Sequence, residues 1–207
     1  MGPTADPPPP VHSSSRPSHP IRAWLQLLRA PNLFTVPGDP LAGFLLATFG
    51  VLRPAALFAV GASLCFYAAG LLLNDLCDLE EDRRDRKLRP LPSGAVDVQR
   101  VRAAACALAL AGLGALVLGA GTRGFCVGLV LCAAIAAYNM VTKRWEIVGA
   151  VNMGLCRALS LYAGSVVAYP TAFPRTRSVI LGASIIGIYI AAVTNLARHE
   201  TRAHVPV

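Results

Sequence analysis

Six of the eleven acidic side chains in this 207-residue chain fall between Asp75 and Asp85. Four of them, Asp75, Asp78, Asp82 and Asp85, are spaced three, four and three residues apart. On a helix continuing past a membrane surface, that spacing stacks all four carboxylates on one face. Like charges placed this way repel unless a cation neutralises them. Carboxylate oxygens from a few residues plus waters suit Mg²⁺, which commonly bridges to substrate phosphates. Glu80 and Glu81 point elsewhere and are expected in solvent, pairing with Arg83 or Arg84. Because RRDRK is interleaved with the acids, a salt-bridged juxtamembrane helix is the alternative. The Asn74-Asp75 pair favours a functional role, since it begins inside an apolar run, where polar groups are costly.

Two further ionisable residues stand in apolar surroundings. Arg157 lies near the middle of a long apolar segment, with Asn152 about a turn and a half earlier. A guanidinium at that depth must face a polar cavity or a partner. The candidates are the aspartates, a bound anion, or Asp39. Asp39 itself, within PGDP, breaks the first apolar segment and either caps a half-helix or sits in a turn. The six cysteines are scattered without a CxxC pair, and most lie in apolar runs. They read as small buried hydrophobes, not as a metal site or disulfide framework.

The elements that must carry these residues are membrane spans. The chain is 55% hydrophobic before its 18 glycines are counted, and only 14% charged. A soluble domain sits near 45–50% apolar with glycine included, and about 25% charged. Residues 1–20 hold seven of the 16 prolines and no apolar run, as a disordered tail does. Residues 21–30 place Trp24, Leu25 and Leu28 on one face between Arg22 and Arg29, which predicts a short interfacial helix.

Residues 54–74, 103–122, 124–142 and 178–197 contain no charge, and each is long enough to span about 30 Å of hydrocarbon. Residues 31–52 and 147–169 join them if Asp39 and Arg157 are tolerated. Six spans with the N-terminus inside leave 14 basic residues on the inner side and four, Arg53, Arg123, Arg175 and Arg177, outside. That is a clear positive-inside bias, and it places both termini in the cytoplasm. The net charge of +8 then serves contact with anionic lipid. No aromatic-basic motif accompanies it, so nucleic acid is not an expected partner.

NDxxDxxxD followed by RPLPSG resembles the first aspartate-rich motif of the UbiA superfamily of intramembrane prenyltransferases. Asn74, Asp75, Asp78 and Asp82 match the motif, and Arg89, Pro90, Ser93 and Gly94 match the stretch immediately after it. PNLFTVPGDPLAG in the first span is similar too, as is Tyr138-x4-Lys143-Arg144 between the fourth and fifth spans. MGLCRALSLYAG, residues 153–164, resembles the EboC-like branch in particular.

The resemblance covers roughly residues 22–202. It implies an all-α multi-span bundle around a cavity, with a cytosol-facing polar cap holding Mg²⁺ and an isoprenyl diphosphate. It also implies Asp75, Asp78 and Asp82 as metal-binding catalytic residues, with Asn74 as a further ligand or orienter. Lys143 is implied as a catalytic diphosphate contact, with Arg89, Tyr138, Arg144 and Arg157 beside it. The second acidic motif is reduced to TNLARHE, which leaves Asn195 and Glu200 as candidates.

The expected chemistry is departure of diphosphate from an allylic carbon and alkylation of an acceptor by the resulting carbocation-like prenyl group. No covalent nucleophile is needed, and no Ser/His/Asp or Cys/His arrangement offers one. The family commonly has about nine spans, each of about 20 residues, whereas this chain carries six. The expectation is a shortened or truncated member, completed by a partner chain or a homo-oligomer. The cell membrane is its expected location. A non-catalytic accessory protein retaining the diphosphate- and lipid-binding face is the alternative. A CDP-alcohol phosphatidyltransferase lacks its motif order here, and a transporter would place its acids nearer mid-membrane.

Overall fold

The computed structural model describes residues 20–171 and 177–203, apart from the side chains of Pro20 and of residues 198–203. The expected tails therefore fall outside the described residues, but for the backbone of Pro20 and Ala203. All regular elements in the described residues are helical. They are α1 (Pro20–Leu27), α2 (Ala30–Leu33), α3 (Gly38–Thr48), α4 (Ala56–Cys77), α5 (Leu79–Asp85), α6 (Val98–Met140), α7 (Glu146–Ala168) and α8 (Arg177–Ala203), with a 3₁₀ turn at Thr142–Arg144.

Among the described residues, four helices are long and apolar enough to cross a membrane: α4, α6, α7 and the part of α8 up to Ala197. The 43-residue α6 is two passes rather than one. Ala120 (φ −147°, ψ 16°) and Gly121 (φ 57°, ψ −140°) leave the helical region, and beyond them the chain doubles back. A Cβ on Gly128 would meet Leu113, and one on Gly124 would strike the Leu116 carbonyl. In a straight helix, residues 113 and 128 stand about 22 Å apart. The third and fourth spans are thus a helical hairpin with a two-residue turn, and Gly121 holds a conformation open essentially to glycine alone.

The first span differs from expectation. Residues 31–52 do not form one helix but the short α2, a turn over residues 34–37, and an α3 of 11 residues. Pro37 is the physical cause. It has no N–H to donate back to the preceding turn, and it disfavours helical geometry in the residue before it. Pro40 is tolerated because it lies in the first turn of α3, where N–H groups lack helical partners anyway. At about 16 Å, α3 crosses roughly half the hydrocarbon thickness. Asp39 lies in its first turn without capping it.

Packing brings α4 against both arms of the hairpin and α7 against α3, α4 and α6. Phe66 is the wedge, its ring set against Gly112 and Gly128 in a core with Phe44, Leu116, Leu131 and Leu161. Helix α3 meets α7 by backbone approach: a Cβ on Gly43 would strike the Leu161 carbonyl oxygen, and one on Gly164 would strike that of Pro40. Small residues permit this contact, which is a usual basis of association between membrane helices. Helix α8 packs on α7 and α3, not on α4.

A second apolar cluster forms the cap. Ala23 and Leu27 of α1 pack with Leu72, Leu79, Leu91, Val96 and Val101. The face that α1 buries is therefore Ala23 and Leu27, with Trp24 and Leu28 partly covered and Leu25 exposed. This differs from the expected Trp24, Leu25 and Leu28 face.

Gly164→Val is expected to push α3 off α7 and destabilise the protein by about 1–3 kcal/mol, as overpacking does. Gly38→Ala, with open space around its Cβ position, serves as a neutral control. Thermal unfolding of both variants in detergent checks this, and equal midpoints would refute the close-approach account.

Candidate functional site

Helix α4 does not run unbroken through the acidic segment. Asp78 caps it at φ −90°, ψ 0°, and α5 begins at Leu79. The backbone bonds from Asp78 N–H to the Asn74 carbonyl (3.0 Å) and from Asp82 N–H to the Asp78 carbonyl (2.8 Å) still carry the chain forward. The four acids consequently do not form one continuous ladder. Asp75, Asp82 and Asp85 line a polar cavity of about 530 Å³ under α1 and the loop after α5. Asp78 instead receives Lys143 Nζ on one oxygen and Asn74 Nδ2 on the other, the latter at 3.0 Å.

Each of the two central acids has its own cation. Asp82 is only 2% exposed, which is tolerable because Arg89 Nη1 donates to its Oδ2 at 2.7 Å and Arg86 Nη1 lies 3.6 Å from its Oδ1. Arg89 is brought there by the turn after α5, whose backbone closes from Arg89 N–H onto Arg86 O at 3.0 Å. Arg29 and Arg89 both act electrostatically on Asp75. Glu80 is paired in solvent with Arg83 at 2.6 Å.

Below the cap lies a second cavity, of about 180 Å³. Its body is apolar, with Phe66, Leu71, Leu131 and Ile135. Polar groups reach it at both ends: Asn74, Tyr138 and Arg29 toward the acids, and Ser63, Ser160 and Arg157 at the far end. The Ser63 and Ser160 hydroxyls lie 2.7 Å apart. Arg157 Nε stands 2.7 Å from Asp39 Oδ2, so of the expected partners it is Asp39 that the guanidinium meets. The Asn152 amide lies 2.9 Å from the Thr142 hydroxyl and ties α7 to the 3₁₀ turn that presents Lys143.

These features sit on a chain whose residues 40–206 match the model of the UbiA prenyltransferase family. The chain belongs to the UbiA prenyltransferase family. It is similar to the digeranylgeranylglyceryl phosphate synthase of Methanoculleus marisnigri, at 30% identity over 179 residues, covering 86% of this chain and 59% of that one. It is also similar to the synthase of the same name from Ignicoccus hospitalis, at 37% identity over 121 residues, covering 58% and 36%.

A solved structure of digeranylgeranylglyceryl phosphate synthase superimposes with a TM-score of 0.72 at 19% identity, covering 83% of this chain and 60% of that one. The apo structure of a UbiA homologue from Aeropyrum pernix K1 does so with a TM-score of 0.65 at 20% identity, covering 78% and 60%. At these identities the structures establish the shared fold. The chain spans about three fifths of the length of the first of these relatives.

Of the residues singled out from sequence, the UbiA fold gathers Asn74, Asp78 and Lys143 into one contact set, and Asp82 and Arg89 into another. Tyr138 and Arg157 line the inner cavity, while Arg144 is exposed and lines neither cavity. Asn195 is half-buried on α8, a helix that does not touch α4. The side chain of Glu200 lies outside the described residues.

Sequence reasoning passes over Arg29, Ser63, Tyr67, Asn139 and Ser160, all on the inner cavity. Ser63, Asn139 and Ser160 carry a usable signal, being polar residues inside apolar spans. Arg29 reads from sequence only as a topogenic charge. It lines both cavities, and its left-handed backbone (φ 45°, ψ 53°) is a strained state for a residue with a Cβ.

No three described His, Cys, Asp or Glu residues converge on one point. In kind, however, the donors fit Mg²⁺: they are carboxylate and amide oxygens, without thiol or imidazole.

Arg89→Met leaves buried Asp82 with only the distant Arg86, and should cost about 2 kcal/mol of stability. Combining it with Asp82→Asn should recover most of that loss. Chemical or thermal unfolding of the single and double variants checks the coupling, which is absent if the two losses simply add.

Proposed function

We propose that this chain acts as an intramembrane prenyltransferase, taking an isoprenyl group from an allylic diphosphate and passing it to an acceptor. The observation that carries this is the junction of two unlike spaces: a charged cap cavity lined by Asp75, Asp82, Arg29 and Arg89, and an apolar cavity directly beneath it. A prenyl diphosphate has the same division between a highly charged head and a hydrocarbon tail.

In this reading Lys143, Arg89 and Arg29 hold the diphosphate oxygens, and Tyr138 donates its hydroxyl at the cavity mouth. Such fixed cations and donors stabilise charge developing on a leaving group. Asp75, Asp78 and Asp82, with the Asn74 amide, would hold Mg²⁺, which supplies charge neutralisation at the diphosphate when bound. Phe66, Leu71, Leu131 and Ile135 surround the reacting prenyl carbon with apolar surface and keep water from it. The positive-inside pattern supports a cytoplasmic location for the cap. The acceptor is proposed to be an alcohol of the glyceryl phosphate kind, in keeping with the name carried by the relatives of both organisms.

Purified protein offered a C20 prenyl diphosphate with Mg²⁺ is expected to bind it, and Asp78→Ala should weaken binding at least about tenfold, or 1.4 kcal/mol. Lys143→Ala should lower kcat/KM by about 10²-fold or more, as loss of a transition-state donor does. Chelation of Mg²⁺ should abolish turnover and restoration of the metal should return it. Binding as good in Asp78→Ala as in wild type would sink the proposal. Tight binding with no product from any acceptor would instead favour an accessory role.

A further inference from the structure

The buried amide of Asn152 belongs to neither cavity, yet it reaches the segment that carries two of the diphosphate contacts. Asn152 is in the second turn of α7 and 9% exposed, and it lines neither the cap cavity nor the inner one. It therefore cannot touch a substrate held in either. A polar side chain inside an apolar span is costly unless its hydrogen bonds are made.

Those bonds all run to one stretch of chain. With its amide turned so that every neighbour is satisfied, Asn152 donates to the Ala134 carbonyl at 3.2 Å. Its oxygen accepts from the Tyr138 N–H at 3.2 Å and from the Thr142 hydroxyl at 2.9 Å. The opposite orientation would set oxygen against carbonyl oxygen and nitrogen against N–H. One amide thus clamps the last two turns of α6, where Tyr138 stands, to the 3₁₀ turn, where Lys143 stands.

Little else restrains that stretch. Val141 (φ −129°, ψ −62°) breaks α6 just before the turn, so helical geometry does not carry through from Tyr138 to Lys143. Val141, Arg144 and Trp145 are exposed, so apolar packing holds the turn only weakly. Its backbone closes on itself, from Trp145 N–H to the Thr142 carbonyl at 3.0 Å. Among the described residues, its side-chain hydrogen bonds run from Lys143 to Asp78 and between Thr142 and Asn152. The first tie is lost whenever Lys143 turns to a diphosphate. The second is not.

We infer that Asn152 is a positioning residue for the transfer reaction, fixing the backbone that presents the Tyr138 hydroxyl and the Lys143 ammonium at one spacing toward the diphosphate. This rests on the prenyltransferase reading given above, in which both groups meet the diphosphate. A displacement of the order of 1 Å in such a contact is costly to catalysis. The amide touches no reacting atom, and its contribution passes entirely through those two side chains.

Equilibrium binding to detergent-solubilised protein tests this, with Mg²⁺ present and an unreactive thio-analogue of a C20 prenyl diphosphate as probe. Asn152→Leu keeps a branched shape and removes the bonds. Thr142→Val removes only the hydroxyl, and Thr142→Ser is the conservative comparison. Asn152→Leu should weaken binding about tenfold, Thr142→Val about threefold or more, and Thr142→Ser less than about twofold.

The deciding measurement repeats Asn152→Leu and Thr142→Val in a Tyr138→Phe/Lys143→Ala background. There each should change affinity by less than about twofold, because the groups that Asn152 positions are gone. A general fault in the bundle would weaken binding equally in both backgrounds, and that result would overturn the inference. So would wild-type affinity in folded Asn152→Leu or in Thr142→Val, or a loss in Thr142→Ser as large as that in Thr142→Val. Should Asn152→Leu fail to fold, Thr142→Val in the two backgrounds decides the matter, since it alters a half-buried turn. Failure of wild type to bind the probe, or wild-type affinity in Tyr138→Phe/Lys143→Ala, would strike the prenyltransferase reading itself and this inference with it.

Discussion

A charge withdrawn from water into a helical bundle must meet an opposite charge or enough hydrogen bonds to replace its hydration. That constraint organises this protein. Asp82 is almost sealed from solvent and is held by Arg89; Asp78 is held by Lys143; Asp39 is held by Arg157. Each pair joins segments that are distant in the chain or would otherwise diverge. Lys143 ties the 3₁₀ turn after the hairpin to the end of α4, and Arg157 ties α7 to the start of α3. The ionic groups thus hold the bundle together at the same places where they create its polar interior. Their retention in so apolar a chain is understandable on that basis.

The two cavities result from how the helices are cut. Proline interrupts the first span and leaves α3 half length, so Val36 and Arg29 come from irregular backbone onto the inner cavity rather than from a continuous helix. In a membrane protein such backbone survives where it borders a cavity or is buried in protein. The apolar cap cluster of α1, Leu72, Leu79 and Leu91 then closes over the acidic segment and gives it a floor. Asp82 is sealed as a result and Asp75 and Asp78 are half-buried, while Asp85 stays exposed where it lines the cap cavity.

Much of this is readable from residue order alone, and the exceptions have physical causes. Charge-free runs locate α4, the hairpin arms and α8, because hydrocarbon tolerates little else, and α7 follows once Arg157 is tolerated within its apolar run. The reversal at residues 120–121 falls where Gly121 and Arg123 interrupt the apolar pattern. Spacing cannot foresee that Asp78 caps one helix and so parts from Asp75 and Asp82, since that depends on Lys143 arriving from 65 residues away. Nor can it choose among partners for Arg157, because the choice is made by the Gly43 and Gly164 contact that draws α3 onto α7. Family motifs point to Asn74, Asp78, Lys143 and Tyr138 residue by residue. The polar residues Ser63, Asn139 and Ser160 belong to no such motif; their place inside apolar spans marks them, and packing brings them onto one cavity.

The tight reversal between the two arms of α6 also bears on how the bundle assembles. Their contacts are close in sequence, so bringing them together costs little chain entropy, and topologies rich in such contacts form quickly. The pair is complete before α7 has been synthesised, and it offers α4 a finished groove at Gly112 and Gly128 for Phe66. Co-translational insertion can therefore proceed with a three-helix kernel already zipped, onto which the later segments need only dock.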